Sequence, residues 1–339
     1  MLKKLMNEAF CTLQITTTGP LLVKSGHASV SGPDMTPVLT FRNGKQEVFI
    51  PGSSLKGVFR SHLEKIICSL KSSVVCYPFE GNEDRQADIK QLQQDFRESC
   101  GGMFNQYTKR GDDQRKFLEE RTDLVYRASC PACRLFGSTG FIGRVAISDA
   151  YLVKDAVKEQ RDGVGIDRLT GGASHGAKFE LEVVSTGVAF ETDIHLRNFE
   201  IWQLGMLFVV LQDLEDELIH IGSGRSRGLG KVTATISEKT SSGRPGGFVT
   251  STIRESQEPT GQLWGLGRWL NDGSYGTWRD DALELAPSVE HTERGIRSMR
   301  AFSGTAFEAL REAAITQFIE RIQAWPEEFA TLPVPARNR

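Results

Sequence analysis

The chain of 339 residues predicts an α+β protein with a ferredoxin-like core, and three observations lead to this fold class. Strand-like and helix-like segments follow the order strand, helix, strand, strand, helix, strand, which is the ferredoxin-like arrangement. Long polar insertions separate these segments, and the composition changes after about residue 238. An apolar fraction of 39% is sufficient for a substantial core.

The first half of the predicted core is a strand at 10–17 and a helix that begins after Pro51-Gly52. Ser53 or Ser54 can cap this helix, which is expected to run to about residue 70. Its apolar residues recur at helical spacing: Leu55, Val58, Phe59, Leu63, Ile66 and Ile67.

The second half begins with the strand-like segment 144–153 and continues with one or two strands over 178–196. A helix is predicted at 200–217, followed by a glycine-rich loop and a β-branched strand at 231–236. The glycine-rich stretch before residue 178 predicts a long hairpin that extends away from the body of the protein.

The predicted organisation is a core over 1–240 and a C-terminal extension over 241–339. The core carries a polar insertion at 71–143 and the hairpin at 160–186. Residues 237–248 have the composition of a linker, whereas 307–325 predict an amphipathic helix that packs on its own domain.

Charge and hydropathy exclude some classes of protein. The net charge of −2 excludes a globally basic nucleic-acid-binding protein, so binding of a polyanion must depend on local clusters. No apolar run is long enough to span a bilayer, and the N-terminal residues lack a signal-peptide core. We therefore expect a cytoplasmic protein with no membrane partner.

Four of the six cysteines fall in the polar insertion, at Cys76, Cys100, Cys130 and Cys133. Four thiolates can bind a structural Zn²⁺ tetrahedrally, and a long polar insertion needs such a stabilising centre. His62 is a possible substitute ligand. The alternative is a lone Cys-x-x-Cys pair at 130–133 that is redox-active or simply structural.

Two segments have the chemistry of an anion site. Lys56 and Arg60 share one helix face near the amides of the helix N-terminus. The loop IGSGRSRGLGKV combines glycines with Arg225, Arg227 and Lys231. It is not a dinucleotide fingerprint, because a helix precedes it and a strand follows, and Val232 excludes a Walker A motif. A polyanion that lies against the backbone is the remaining functional interpretation.

Asp34 lies in a turn, within SGPDMTPVL. A lone aspartate in a turn most often forms a local hydrogen bond to the backbone. The functional alternative is a carboxylate that meets a scissile phosphate or a metal ion. His27 is the nearby histidine, and nothing in the sequence identifies it as a general base.

Four stretches together resemble one family: FIPGSSLKGVFRSHLE, CPACRLFGSTGFIGRVAISDA, GIDRLTGGASHGAKFELEVV and IGSGRSRGLGKV. In this order they resemble the motifs of the RAMP superfamily, and more narrowly the repeating backbone subunit of type III CRISPR effector complexes. The resemblance covers about residues 8–237. It implies a core like that of an RNA recognition motif, a zinc-binding insertion and a thumb hairpin that interrupts the guide–target duplex.

The resemblance also implies the RNA partners. The guide CRISPR RNA would lie along copies of this subunit or related backbone subunits, beside a large polymerase-like subunit and a small subunit. The implied RNA-binding residues are Ser53, Ser54, Lys56, Arg60, Arg168, Lys178, Gly222, Gly224, Arg225 and Arg227.

By the same resemblance Asp34 is the catalytic residue, and Mg²⁺ or Mn²⁺ supports cleavage of a complementary target RNA. A 2′-hydroxyl would attack the adjacent phosphorus. Two alternatives stay open. One is a catalytically silent scaffold that only binds the guide, and the other is a guide-processing ribonuclease that uses His27 or His220.

Overall fold

The computed structural model describes residues 4–25, 33–78, 96–109, 111–238, 245–253, 258–286, 289–330 and 332. The strands within these ranges are β1 (Glu8–Thr17), β2 (Leu39–Arg42), β3 (Lys45–Ile50), β4 (Gly137–Ser138), β5 (Phe141–Ile142), β6 (Val145–Ile147), β7 (Ala150–Leu152), β8 (Lys158–Ile166), β9 (Ala173–Val184), β10 (Ala189–Arg197), β11 (Val232–Ile236), β12 (Phe248–Ile253), β13 (Gln262–Trp264), β14 (Ala282–Glu284), β15 (Glu290–Arg294) and β16 (Arg297–Phe302). The α-helices are α1 (Gly52–Leu70), α2 (Cys100–Thr108), α3 (Asp112–Glu120), α4 (Thr122–Ala128), α5 (Pro131–Phe136), α6 (Ile201–Glu215), α7 (Leu266–Leu270) and α8 (Gly304–Gln323).

One antiparallel sheet organises the molecule around β1. Its strand order is β15-β16-β12-β1-β10-β7-β3-β2, while β11 also pairs with β1 and β6 also pairs with β10. Alternation in β1 buries Ala9, Cys11, Leu13 and Ile15 on one face, whereas Phe10 on the other face is half-buried. The prediction of an α+β chain is confirmed, and the pairs of this sheet are antiparallel.

Helices cover one face of this sheet. In α1 the buried residues Leu55, Phe59, Leu63 and Ile67 recur every four positions, which gives a single apolar stripe. Helix α6 is apolar on nearly all sides, because it lies between the sheet and α8. The two helices approach closely at Gly205, where a Cβ atom would lie 2.1 Å from the Ala314 carbonyl oxygen.

Two local expectations were wrong. No serine caps α1: Pro51 is the N-cap residue and makes no side-chain hydrogen bond, and the Gly52 amide donates to Asp149 Oδ1 at 2.8 Å. The single strand expected at 144–153 is divided into β6 and β7, and Asp149, the acceptor of that bond, lies between them.

The C-terminal residues contribute to the same sheet. Strand β12 pairs with β1 at Glu8–Phe10, β16 pairs with β12, and β15 forms the edge. The division of the chain at residue 240 stays a prediction, and much of the expected linker, at 239–244, lies outside the described residues.

The hairpin β8–β9 forms a separate two-stranded sheet. Bridges from Leu21 to Val184 and from Met35 to Leu181 hold its base against the loop that follows β1. Within the described ranges, no helix is both long and apolar enough to cross a membrane.

Candidate metal centre and nucleic-acid interface

The four cysteines of the insertion converge at one buried point. Cys76 follows α1, Cys100 begins α2, Cys130 is the N-cap of α5, and Cys133 lies within α5. Each is at most 1% exposed, and the four Sγ atoms lie within 4.8 Å of one another. The Sγ atom of Cys76 is 3.5 Å from that of Cys133 and 3.6 Å from that of Cys130.

This geometry fits a tetrahedral metal ion such as zinc. Zn–S bonds of about 2.3 Å place tetrahedral sulfur ligands roughly 3.8 Å apart, which is close to the observed separations. His62 does not join the cluster, because its Nε2 is 2.5 Å from Asp213 Oδ2. The four cysteines are therefore sufficient ligands for a metal ion such as zinc, with no open position left for catalysis.

The pKa values of the cysteine thiols indicate that a cation would stabilise the cluster. Burial opposes ionisation of Cys130, but hydrogen bonds from the other three thiols outweigh it and hold the pKa of Cys130 well below its usual value. Hydrogen bonds within the cluster and burial raise the pKa of Cys76 and of Cys133. One thiolate is thus favoured at the expense of the others, and a divalent ion would allow all four to ionise.

Arg60, one of the residues expected to bind RNA, is held against this centre. Its Nη2 donates to Cys133 Sγ at 3.3 Å, its Nη1 to the Gly137 carbonyl at 3.1 Å, and its Nε to Glu64 at 2.7 Å. Burial alone would lower the pKa of Arg60, but Cys133 and Glu64 outweigh burial and raise it. Arg60 therefore acts on the thiolates and carries little free charge toward a polyanion.

We expect Arg60→Met to weaken metal binding by about 10–100-fold, because groups that hydrogen-bond to metal ligands contribute on this scale. Competition with a chromogenic chelator would measure the loss. Arg115→Met is the matched control, because Arg115 forms the same i,i+4 pair with Glu119 on an exposed helix. Equal zinc affinity in the two variants would contradict the role given to Arg60.

A cationic cavity of about 790 Å³, here called the α1 cavity, lies where α1 begins. Gly52, Ser53 and Lys56 form one wall, and β6 and β10 form the other. Its lysine and arginine side chains are Lys4, Lys56, Arg144 and Arg197. No aspartate or glutamate is among the described residues that line it. Burial and the neighbouring Arg60 lower the pKa of Lys56, so an anion bound in this cavity would stabilise the charged form of Lys56.

Arg144 is the most informative of these cations, because it is only 7% exposed. Its guanidinium lies 4.7 Å from the centre of the Tyr126 ring, and its Nε and Nη2 find no acceptor among the residues that the structure describes. Buried guanidinium donors without acceptors are costly in a native protein. The buried Glu200 carboxylate attracts Arg144 but accepts neither of these hydrogen bonds, and oxygens of a bound anion would supply the missing acceptors.

The glycine-rich loop at 221–230 lies against the segment that follows β1. Gly222 and Gly230 have positive φ, and a Cβ atom at these positions would lie 2.3 Å from the Leu22 carbonyl oxygen and 2.2 Å from that of Ile221. Tight packing thus accounts for both glycines. Arg225 and Arg227 are exposed on a 3-10 turn, whereas Lys231 is paired with Glu217.

Asp34 and Arg227 meet on strand β9. Asp34 Oδ2 accepts a hydrogen bond from the Glu180 backbone N–H at 2.8 Å. The Arg227 guanidinium lies 5.1 Å from the ring centre of Phe179, the preceding residue. The loop, the hairpin and the candidate catalytic aspartate therefore share one location, and we call Asp34, Phe179 and Arg227 the hairpin-base cluster.

The predicted RNA-binding residues fall into two groups rather than one surface. The α1 cavity includes Arg197, the partner of Glu8 at the first residue of β1. The glycine-rich loop lies at the other end, where Thr18 and Gly19 donate to the Lys231 carbonyl. Because β1 has ten residues, these ends are roughly 30 Å apart. Any RNA that contacts both groups must cross the molecule.

The remaining candidates lie on the hairpin and near the loop. Arg168 is exposed at the hairpin tip, and Lys178 pairs with Asp162 and Glu180. His220 is half-buried and its backbone bridges to Lys231, while His27 lies outside the described residues.

These features define a mixed α+β protein with local cationic surfaces and a cluster of four buried cysteines that could bind a metal ion such as zinc. A family model described as the RAMP superfamily matches residues 14–233, about two thirds of the chain. The chain belongs to the RAMP superfamily, and it is thereby a CRISPR-associated RNA-binding protein. No curated protein matches the chain.

Proposed function

We propose that this protein is the guide-RNA-binding backbone subunit of a type III CRISPR complex and that it cleaves complementary target RNA at Asp34. The α1 cavity is the observation that carries the RNA-binding part of this proposal. It brings four cationic side chains together at the start of α1, among them the buried guanidinium of Arg144, and no aspartate or glutamate is among its described lining residues. A phosphodiester backbone supplies the missing negative charge at regular spacing.

The proposed scaffold is a ferredoxin-like core made of β1, α1, β6, β10, α6 and β11. The strand order β11-β1-β10-β6 supports it, because the last strand of such a core lies beside the first. In this arrangement the two helices share one face of the sheet, and the hairpin β8–β9 leaves from the loop between the second and third core strands.

The hairpin is proposed to interrupt the guide–target duplex. Its tip exposes Leu169 at 97% and Ile166 at 59%, and Arg168 lies between them. Apolar side chains at an exposed tip have no packing role within this chain, but they can separate stacked bases. Phe179 lies six residues along β9 from Ala173 at the tip, roughly 20 Å, so a target strand separated at the tip would run along the hairpin to reach the hairpin-base cluster.

The proposed cleavage is a transesterification in the target RNA. The 2′-hydroxyl loses its proton and its oxygen forms a bond to the adjacent phosphorus, while the bond from phosphorus to the 5′-oxygen breaks. The 5′-oxygen takes up a proton, and the products are a 2′,3′-cyclic phosphate and a 5′-hydroxyl. Glu180 N–H fixes the carboxylate of Asp34, which orients the 2′-hydroxyl or binds a cation. Mg²⁺ or Mn²⁺ would supply positive charge for the phosphate.

The cation needs RNA as a co-ligand. Among the residues that the structure describes, no second and third ligand join Asp34 in a three-residue metal site. Mg²⁺ is commonly held by one or two carboxylates together with substrate phosphates and water, so Asp34 alone fits that pattern.

RNA binding can be tested at Lys56. We expect Lys56→Ala to weaken binding of single-stranded RNA by about tenfold, because a charge-assisted contact to phosphate is lost. The slope of log affinity against log salt should fall by about 0.7. Fluorescence anisotropy on RNA-free protein would measure both.

Lys65→Ala is the matched control for this experiment. Lys65 is exposed on the same helix but does not line the α1 cavity. If Lys56→Ala and Lys65→Ala bound RNA equally well, with the same salt dependence, the α1 cavity would not be an RNA site.

A catalytically silent scaffold is the second candidate. The observation that favours it is the hydrogen bond from Glu180 N–H to Asp34, since this bond gives the aspartate a structural role at the base of the hairpin. The two candidates differ in what happens to cleavage when the charge is removed and the hydrogen bond is kept.

A further inference from the structure

A second cavity of about 480 Å³ lies on the sheet face opposite the helices. Glu8, Phe10 and His195 line one side of it. The turn that joins β15 to β16 lines the other side with Arg294, Ile296 and Arg297. We call this the turn cavity, and its arginines lie outside residues 14–233, the segment that the family model matches.

The turn cavity and the α1 cavity meet at His195, which lines both. The His195 ring is held on two sides: its Nε2 is 2.9 Å from Glu8 Oε1, and its Nδ1 is 3.5 Å from Arg197 Nη2. The two cavities adjoin at His195, and we call them together the groove, which extends from the start of α1 past His195 to the β15–β16 turn.

The joined groove is strongly cationic. Lys4, Lys56, Arg144 and Arg197 line the first part, and Arg294 and Arg297 line the second. The only acid among its described lining residues is Glu8, which is 5% exposed and already pairs with Arg297 and His195. Besides the Arg297–Glu8 pair, the described lining residues include five cationic side chains, Lys4, Lys56, Arg144, Arg197 and Arg294, in a protein whose net charge is −2.

Apolar surface accompanies these cations. Ile296 is 70% exposed at the tip of the turn, and Phe10 is half-buried on the floor beside His195. Cations interspersed with apolar and aromatic side chains are the composition that binds single-stranded nucleic acid, because phosphates and base faces are both contacted. Inorganic phosphate or an acidic peptide would contact the cationic side chains but would not need Phe10 or Ile296.

We propose that the RNA strand held at the α1 cavity continues across His195 onto the β15–β16 turn, so the C-terminal extension forms part of the RNA-binding surface. This inference rests on the proposed function. It assigns the extension a role in affinity that does not depend on base sequence, because the cations contact phosphates.

The test uses the full chain and two oligouridylates, of about 5 and about 16 nucleotides, a range that spans typical single-strand site sizes. We expect Arg294→Gln to weaken binding of the long RNA about fivefold and to reduce its salt slope by about 0.7. Binding of the short RNA, which the α1 cavity alone can hold, should not change. Arg294→Lys, which keeps the charge, should restore the slope.

Arg279→Gln is the control, because Arg279 is an exposed arginine of the same extension that lines neither cavity. If Arg294→Gln bound the long RNA like Arg279→Gln, the inference would be overturned. The same holds if Arg294→Gln changed only self-association of the protein. Lys56→Ala separates the two claims: if it weakens binding of both RNAs while Arg294→Gln weakens neither, only the extended groove fails.

Discussion

Replacement of Cys133 by serine is expected to abolish metal binding and to destabilise the whole insertion. Cys133 supplies one of four buried sulfurs, and its segment joins α5 to α1 through Arg60. Structural zinc contributes about 10–16 kcal/mol in small zinc domains. The loss should therefore lower the melting temperature by about 10 °C or more. Elemental analysis and a thermal melt would measure zinc per chain and stability.

Cys68→Ser is the matched control for this substitution. Cys68 lies on α1 and is half-buried, but its sulfur does not belong to the four-cysteine cluster. We expect this variant to keep its metal and to lose little stability. If Cys133→Ser also kept a full complement of metal and an unchanged melting temperature, the centre would not be a metal site.

The sequence was informative where chemistry is local. The helical spacing of Leu55, Phe59 and Leu63 is enough to predict α1, because these residues all lie on the buried face of the helix. The Cys-x-x-Cys pair implied a metal centre, and Cys76 and Cys100 were the available cysteines of the same insertion. Both inferences depend on residue type and spacing, which the chain carries directly.

The sequence was less informative where function depends on packing between distant segments. Arg60 was expected to face RNA, because helical spacing places it beside Lys56, but the fold brings Cys133 within hydrogen-bond distance of its guanidinium. Arg144 was not predicted to bind RNA, because the sequence shows it only as the first residue of a strand-like segment. Arg144 becomes a candidate RNA-binding residue only because the fold buries it beside Tyr126. In the sequence, the one indication was its position directly after Gly143, within one of the four stretches that resemble the RAMP superfamily.

The groove shows the same limitation on a larger scale. Phe10, His195 and Arg294 are separated by long stretches of sequence. They reach one face only through the pairings of β1 with β10 and β12, and of β16 with β12 and β15. No spacing rule predicts such a register, since it follows from tertiary packing. The roughly 30 Å between the α1 cavity and the glycine-rich loop was equally invisible, and an RNA that contacted both would cross the sheet.

Asp34→Asn should abolish target cleavage in assembled complexes, by about 100-fold or more, and leave RNA binding unchanged. The asparagine Oδ1 can still accept the hydrogen bond from Glu180 N–H, so the hairpin keeps its anchor while the negative charge is lost. A carboxylate that binds a cation or orients the 2′-hydroxyl cannot be replaced by a neutral amide. Gel analysis of a labelled target RNA in Mg²⁺ would measure cleavage, and filter binding would measure affinity.

Two further variants make the result decisive. Asp34→Ala removes both the charge and the hydrogen bond, so we expect the same loss of cleavage together with a less firmly held hairpin, detectable as faster proteolysis within 158–184. Asp272→Asn is the control, because Asp272 also accepts a backbone N–H, from Ser274 at 2.7 Å, but lies far along the chain from the hairpin. If Asp34→Asn cleaved like Asp272→Asn, while Asp34→Ala lost cleavage only in step with hairpin proteolysis, Asp34 would be a structural residue and the silent-scaffold function would stand.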